Sequence, residues 1–141
     1  MLIVELRAAK IPWIGSLAVH YWYGIIRPEH SDRWEVWQTP GLSRESWGHL
    51  HKNLMPVTAG VGNGDSWIAA VWEGDRALRL AHIIETSPQS YPYCQQYRYF
   101  PGPNSNTYGQ WVLAQAGLDY RLGVKALGQH YPQLLGWPTS R

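Results

Sequence analysis

The run SLAVHYWYGIIR, Ser16 to Arg27, constrains the fold more than any other stretch of the chain. β-Branched and aromatic residues fill both alternating sets of positions, the pattern of a central strand buried on its two faces. His20 is embedded in this strand. The same run does not predict a membrane span: Gly15 to Ile26 is interrupted by His20 and several Tyr and Trp, and it is shorter than the roughly 20 apolar residues a membrane helix needs.

The neighbouring segments predict partners for that strand. Leu2 to Ala8 alternates around Glu5 and Arg7 and reads as a strand ended near Pro12, because proline removes a backbone donor. Pro28 to Asp32 is a polar turn, and Arg33 to Thr39 sets Trp34 and Val36 against Glu35 and Trp37. That alternation makes a hairpin with the central strand, and a meander is the simplest topology. Ser43 to Leu54 fits either a short helix capped by Ser43 or an irregular loop carrying His49 and His51. Gly60 to Asp65 is turn chemistry, and Ser66 to Glu73 is a further strand. Ala77, Leu78, Leu80, Ala81, Ile83 and Ile84 have helical spacing, with Asp75 as the expected N-cap and Pro88 as the expected end. Asn104 to Ala116 predicts a second helix with a polar first turn. From Gly117 onward Gly and Pro recur at short intervals, so the tail is expected to wrap the surface, with a short helix near Val124 to Leu127. The expected fold class is α+β, an antiparallel sheet with helices packed on one side, and 141 residues suit one domain spanning 1–141.

Hydrophobic residues make up 45% of the chain and charged residues 16%, which supports a core and argues against disorder. The net charge of +2 comes from scattered residues with no basic block, so a nucleic-acid partner is not expected. Nine Trp and nine Tyr stand against one Phe; aromatics with a polar handle suit half-wet positions such as clefts. Cys94 is alone and forms no internal disulfide, and the N-terminus has no leader pattern, so a soluble cytoplasmic protein is the expectation. Nothing in the sequence calls for a cofactor.

The sharpest motif is PGPNSNTY, Pro101 to Tyr108. One reading is an ordinary helix cap, with Asn104, Ser105 or Asn106 accepting from an orphan backbone N–H. The other makes Ser105 a nucleophile, because a helix N-terminus favours a developing anion and offers backbone donors to an oxyanion. His20 would then serve as its base, against the alternative of a core histidine bonded to a carbonyl. Glu35 or Gln38 could turn its ring. Asn104, Asn106 and Tyr108 beside the helix start, with Trp22, Tyr97 and Tyr99, are the candidates for lining a ligand cleft. His49 and His51 would point the same way on an extended segment, but no third and fourth ligands are spaced beside them, so no metal site is expected. Cys94 lies among Tyr and Gln and reads as a small buried hydrophobe. Tyr91, Tyr93, Tyr97, Tyr99 and Phe100 around Arg98 fit packing beneath a loop, or the wall of a small-molecule cleft, better than base stacking.

The run YPYCQQYRYFPGPNSNTYGQWVL, with the later KALGQHY, resembles a bacterial family, domain of unknown function 3750, over most of the chain. More distantly, the order of parts is similar to permuted NlpC-type and lecithin retinol acyltransferase-like papain-fold enzymes, in which a strand His precedes an Asn-Cys-x-x-aromatic helix start. Here His20 comes first, and Asn104-Ser105-Asn106-Thr107-Tyr108 holds Ser where those enzymes hold Cys. A Ser hydroxyl needs an adjacent base far more than a Cys does. The resemblance implies a papain-like topology and a hydrolase or acyltransferase acting on an amide or ester. The alternative is a catalytically inactive relative whose aromatic cleft binds a peptide, glycan or lipid-like ligand.

Overall fold

The computed structural model describes residues 1–12, 18–62 and 64–132. Its elements are β1 (Ile3–Lys10), β2 (Val19–Ile26), β3 (Ser31–Val36), β4 (Glu45–Trp47), β5 (Leu50–Lys52), β6 (Trp67–Glu73), α1 (Gly74–Ser90) and α2 (Ser105–Gln115). They make an α+β structure. All pairings in the sheet are antiparallel, in the order β4-β5-β3-β2-β1-β6. The first three strands form a meander, and β6 returns to the other edge of β1. No helix among the described residues is long and apolar enough to cross a membrane.

Side chains alternate across a strand, and β2 is buried at every position but Ile26. Tyr21, Tyr23 and Ile25 face α1 and α2. They join Val4 and Leu6 of β1, Trp34 and Val36 of β3, and Leu80, Ile84, Val112 and Leu113 of the helices in the main core. His20 and Trp22 point the other way, as do Arg33 and Glu35 on β3. On that face the described residues form a small apolar cluster of Ala9, Trp22 and Val61, with Trp37 against it. The loop after β5 covers it: Trp22 Nε1 donates to the Val57 carbonyl at 2.8 Å, and Arg33 Nη1 donates to the carbonyls of Pro56 at 2.9 Å and Ala59 at 2.6 Å.

Several sequence expectations are corrected. Ser43 to Leu54 is neither helix nor irregular loop: it holds the β4–β5 hairpin, fixed by pairing of Glu35 with His51 and by Trp47 stacked on Trp34 at 5.6 Å. Such short strands exist only through their partners. Asp75 is not the cap of α1. Helix begins at Gly74, whose φ of 61° lets β6 turn directly into it, and Glu73 holds the cap position without a side-chain bond. Pro88 does not end α1, which runs on to Ser90. Proline cannot donate to the Ile84 carbonyl, but Ser87 Oγ does, at 2.6 Å, and in turn accepts from the Tyr108 hydroxyl at 2.9 Å. Val124 to Leu127 forms turns, not a helix, with the carbonyls of Lys125 and Leu127 engaged by β2 and α2. Asp32 belongs to β3, which ends at Val36 and not at Thr39. The expected strand start at Ser16 and Leu17, Asn63 of the glycine turn, and the tail from 133 to 141 lie outside the described residues.

Candidate functional site

β2 and β3 pair only from Tyr23–Trp34 to Ile26–Ser31. Among the described residues no strand lies on that edge of the first half of β2, and its buried peptide groups need other partners. Asn106 supplies them. Its Oδ1 accepts from the Tyr21 N–H at 3.1 Å and its Nδ2 donates to the Val19 carbonyl at 2.7 Å. A side-chain amide, with donor and acceptor together, imitates the missing strand. The two bonds bracket His20 and seat the start of α2 beside it.

That start is fixed from both sides. Asn104 accepts from the N–H groups of Asn106 and Thr107, and Thr107 Oγ1 accepts from the Asn104 N–H, a capping box. Thr107 Oγ1 also donates to the Gly128 carbonyl at 2.7 Å, and Asn106 Nδ2 donates to that of Leu127 at 3.1 Å. The PGPNSNTY and KALGQHY segments thus lock each other. Gly128 has a φ of 90°, and a Cβ there would collide with the Asn104 amide. Ser105 is 8% exposed. Its hydroxyl donates to Asn106 Oδ1 at 3.4 Å, a long bond, and its N–H has no acceptor among the described residues. An orphan first-turn donor of this kind carries the positive end of the helix dipole.

His20, 1% exposed, meets Glu35 at 2.8 Å between Nε2 and Oε1. Burial alone pushes the Glu35 carboxyl up, but the hydrogen bond and charge of His20 and the guanidinium of Arg33 outweigh it and hold the carboxyl below its usual range. A carboxylate only accepts, so His20 Nε2 carries the proton. Nδ1 makes no hydrogen bond among the described residues. The imidazole is held between Trp22, stacked at 5.4 Å, and Trp37, edge-on at 5.0 Å. Arg33, also 1% exposed, donates to both Glu35 oxygens, at 2.5 Å from Nε and 2.9 Å from Nη2, while its Cζ lies 3.9 Å from the centroid of Trp22. Sequence reading missed Arg33. The signal was available: a β2 buried on both faces implies covered neighbours, so charges at Arg33 and Glu35 on its partner strand must be paired.

The structure thus brings His20 to Glu35 and the helix start to the His20 peptide, but no hydrogen bond joins Ser105 to His20. Gln38 is exposed beyond the end of β3. Trp22 packs beneath Arg33, whereas Tyr108 lies in the main core on the opposite side of the sheet, bonded to Ser87. Tyr97 stacks on His49 at 5.5 Å, and burial, with the neighbouring Tyr99, raises its hydroxyl to about 12. Tyr99 is 41% exposed, and its carbonyl accepts from Asn104 Nδ2. His49 Nδ1 donates to the Trp37 carbonyl at 3.0 Å. His51 bonds Ser46 and the Thr39 carbonyl, and burial lowers its pKa. Among the described residues, no three of His, Cys, Asp and Glu are grouped to hold a metal ion. Cys94 is buried against the Tyr91 carbonyl, and burial raises its thiol.

Beside Glu35, between the end of β3 and the covering loop, lies a cavity of about 210 Å³. A family described as "Protein of unknown function (DUF3750)" matches residues 1–131. No curated protein and no solved structure matches the chain.

Proposed function

The chain belongs to the DUF3750 family, and from the setting of His20 we propose that it is a papain-like hydrolase or acyltransferase acting on an amide or ester. Ser105 is the nucleophile, His20 the base and Glu35 the group that orients it. The observation that carries this reading is the bracketing of the His20 peptide by Asn106, one residue from Ser105, while His20 Nε2 is held by an ionised Glu35. That leaves Nδ1 to take a proton. The Ser105 hydroxyl gives its proton to Nδ1 as Oγ bonds to the substrate carbonyl carbon, and the orphan Ser105 N–H receives the oxyanion. Collapse breaks the bond to the amine or alcohol, which leaves with the proton from His20; water or a second acceptor then takes the acyl group from Ser105. Catalytic hydrogen bonds are often long before substrate binds, in keeping with a Ser105 hydroxyl that rests on Asn106.

Labelling with a fluorophosphonate tests this directly. Peptide mass spectrometry should find the phosphonyl group on Ser105, with labelling abolished in Ser105→Ala and strongly slowed in His20→Ala. An unlabelled Ser105, or labelling that ignores His20, would overturn the proposal. One observation favours the second reading, an inactive relative that binds a peptide, glycan or lipid-like ligand: the Ser105 hydroxyl bonds Asn106 and not His20.

A further inference from the structure

The aromatic run before α2 and the KALGQHY segment meet at a second cavity, of about 470 Å³, within the range of roughly 300–1,000 Å³ usual for small-molecule sites. Gln96, Tyr97, Arg98, Pro101 and Pro103 come from the first segment and Tyr131 from the second. These walls are held in place by bonds of their own. The Arg98 N–H donates to the Pro103 carbonyl at 2.9 Å and Asn104 Nδ2 to that of Tyr99 at 2.7 Å, so the loop closes on itself. Tyr97 stacks on His49, and Tyr131 meets Tyr93 edge-on at 5.3 Å. The polar side chains, by contrast, are unspent. Among the described residues the Arg98 guanidinium, the Gln96 amide and the Tyr97 hydroxyl have no hydrogen bond or ion pair, and no carboxylate lines the cavity. Arg33 is the opposite case, already bonded to two carbonyls and to both oxygens of Glu35.

We infer that this second cavity is a binding site for a small aryl carboxylate, with Arg98 as its anion anchor. A guanidinium presents paired N–H donors that fit a carboxylate in a bidentate manner. Gln96 adds a neutral donor, and so does Tyr97, whose hydroxyl, raised to about 12, keeps its proton at neutral pH. One positive charge balances one negative charge, whereas a dianionic phosphate would be left half matched. Tyr97, Tyr131 and the two prolines give rings on which the aryl group can lie. The site goes beyond the proposed reaction and does not rest on it, since neither Ser105 nor His20 lines it.

Nitrogen-15 NMR of the full chain tests this, with the Arg98 Nε–H and the backbone amides of Tyr97 and Gly102 as reporters. Benzoate should shift them and saturate. Benzamide keeps the ring and loses the charge, acetate keeps the charge and loses the ring, and each should bind about tenfold more weakly or worse. Phenyl phosphate should bind no tighter than benzoate. Arg98 is exposed, so Arg98→Met should fold, with Arg98→Gln as the second variant and circular dichroism as the check. Both should weaken benzoate about tenfold or more and erase its advantage over benzamide. Arg76→Met, which removes an exposed cation of α1, should change nothing. Reporters that stay still, benzoate no tighter than benzamide, or an unaltered benzoate response in a folded Arg98 variant would overturn the site. Phenyl phosphate binding well above benzoate would overturn the carboxylate class.

Discussion

On the helical side of the sheet Leu80, Ile84, Val112 and Leu113 press against Tyr23 and Ile25, all completely buried. On the other side equally buried positions hold His20, Arg33 and Glu35, and a loop, not a helix, supplies the cover. Each large apolar side chain buried on the first face contributes about 1.5–3 kcal/mol. A buried ion pair contributes little, because desolvation offsets its attraction. The helical face therefore supplies most of the apolar stabilisation, and the paired charges of the polar face add little net. The two faces meet at Asn106, which ties the start of α2 to β2 on either side of His20.

The sharpest way to break this comparison is to remove the charges on the polar face singly and then together. Glu35→Leu alone strands Arg33 and should lower unfolding free energy by about 3–5 kcal/mol in urea. Combined with His20→Leu and Arg33→Met it should be close to neutral, or more stable by about 1–4 kcal/mol, while Ser105 labelling is lost. A combined variant as unstable as the single one would show that the polar face does hold the fold. Next in size is Leu113→Ala on the helical face, which should cost about 2–5 kcal/mol and leave the labelling rate per folded molecule unchanged. Asn104→Ala should cost about 0.5–2 kcal/mol by removing the cap, and it should also slow labelling of Ser105. A stability loss with unaltered labelling would separate the cap from the site.

Acid sharpens the comparison further. The lowered Glu35 carboxyl contributes stability that is complete above its ordinary value of 4.5 and is lost as pH falls through the folded-state value. His51 is lowered by burial from 6.5, so the unfolded chain binds its proton first, and its contribution is lost as pH falls below 6.5. Urea midpoints followed from neutral to acid pH should fall in two windows. His51→Asn should flatten the upper one and Glu35→Gln the lower one.

Much of the sheet was legible because alternation is a local property. β1 and β3 carry it in their own residues, β2 declares itself by being apolar on both faces, and the helical spacing of α1 is local too. The β4–β5 hairpin was not legible, since three-residue strands carry no periodicity and depend on pairing with β3. The continuation of α1 past Pro88 depends on a Ser87 hydroxyl that substitutes for an N–H, and the missing helix at Val124 depends on carbonyls taken by distant partners. At the site, the pairing of His20 with Glu35 follows from two adjacent strands and their alternation. The bracketing by Asn106 does not follow, because it joins residues 85 and 87 positions apart. A paired charge at Arg33 was legible from a β2 buried on both faces, but not that its cover is a loop anchored by the Pro56 and Ala59 carbonyls.

The central claim is that Ser105 answers to His20, and replacing Ser105 by Cys measures it. With Cys94→Ser in the same protein, only one thiol reports, and its alkylation is followed against pH with and without His20→Ala. The helix start and a nearby imidazolium both favour a thiolate, so the Ser105→Cys thiol should titrate well below the free value of about 8.5 and move back up when His20 is removed. A thiol that titrates near the free value and ignores His20 would contradict the account and leave Ser105 as part of a helix cap.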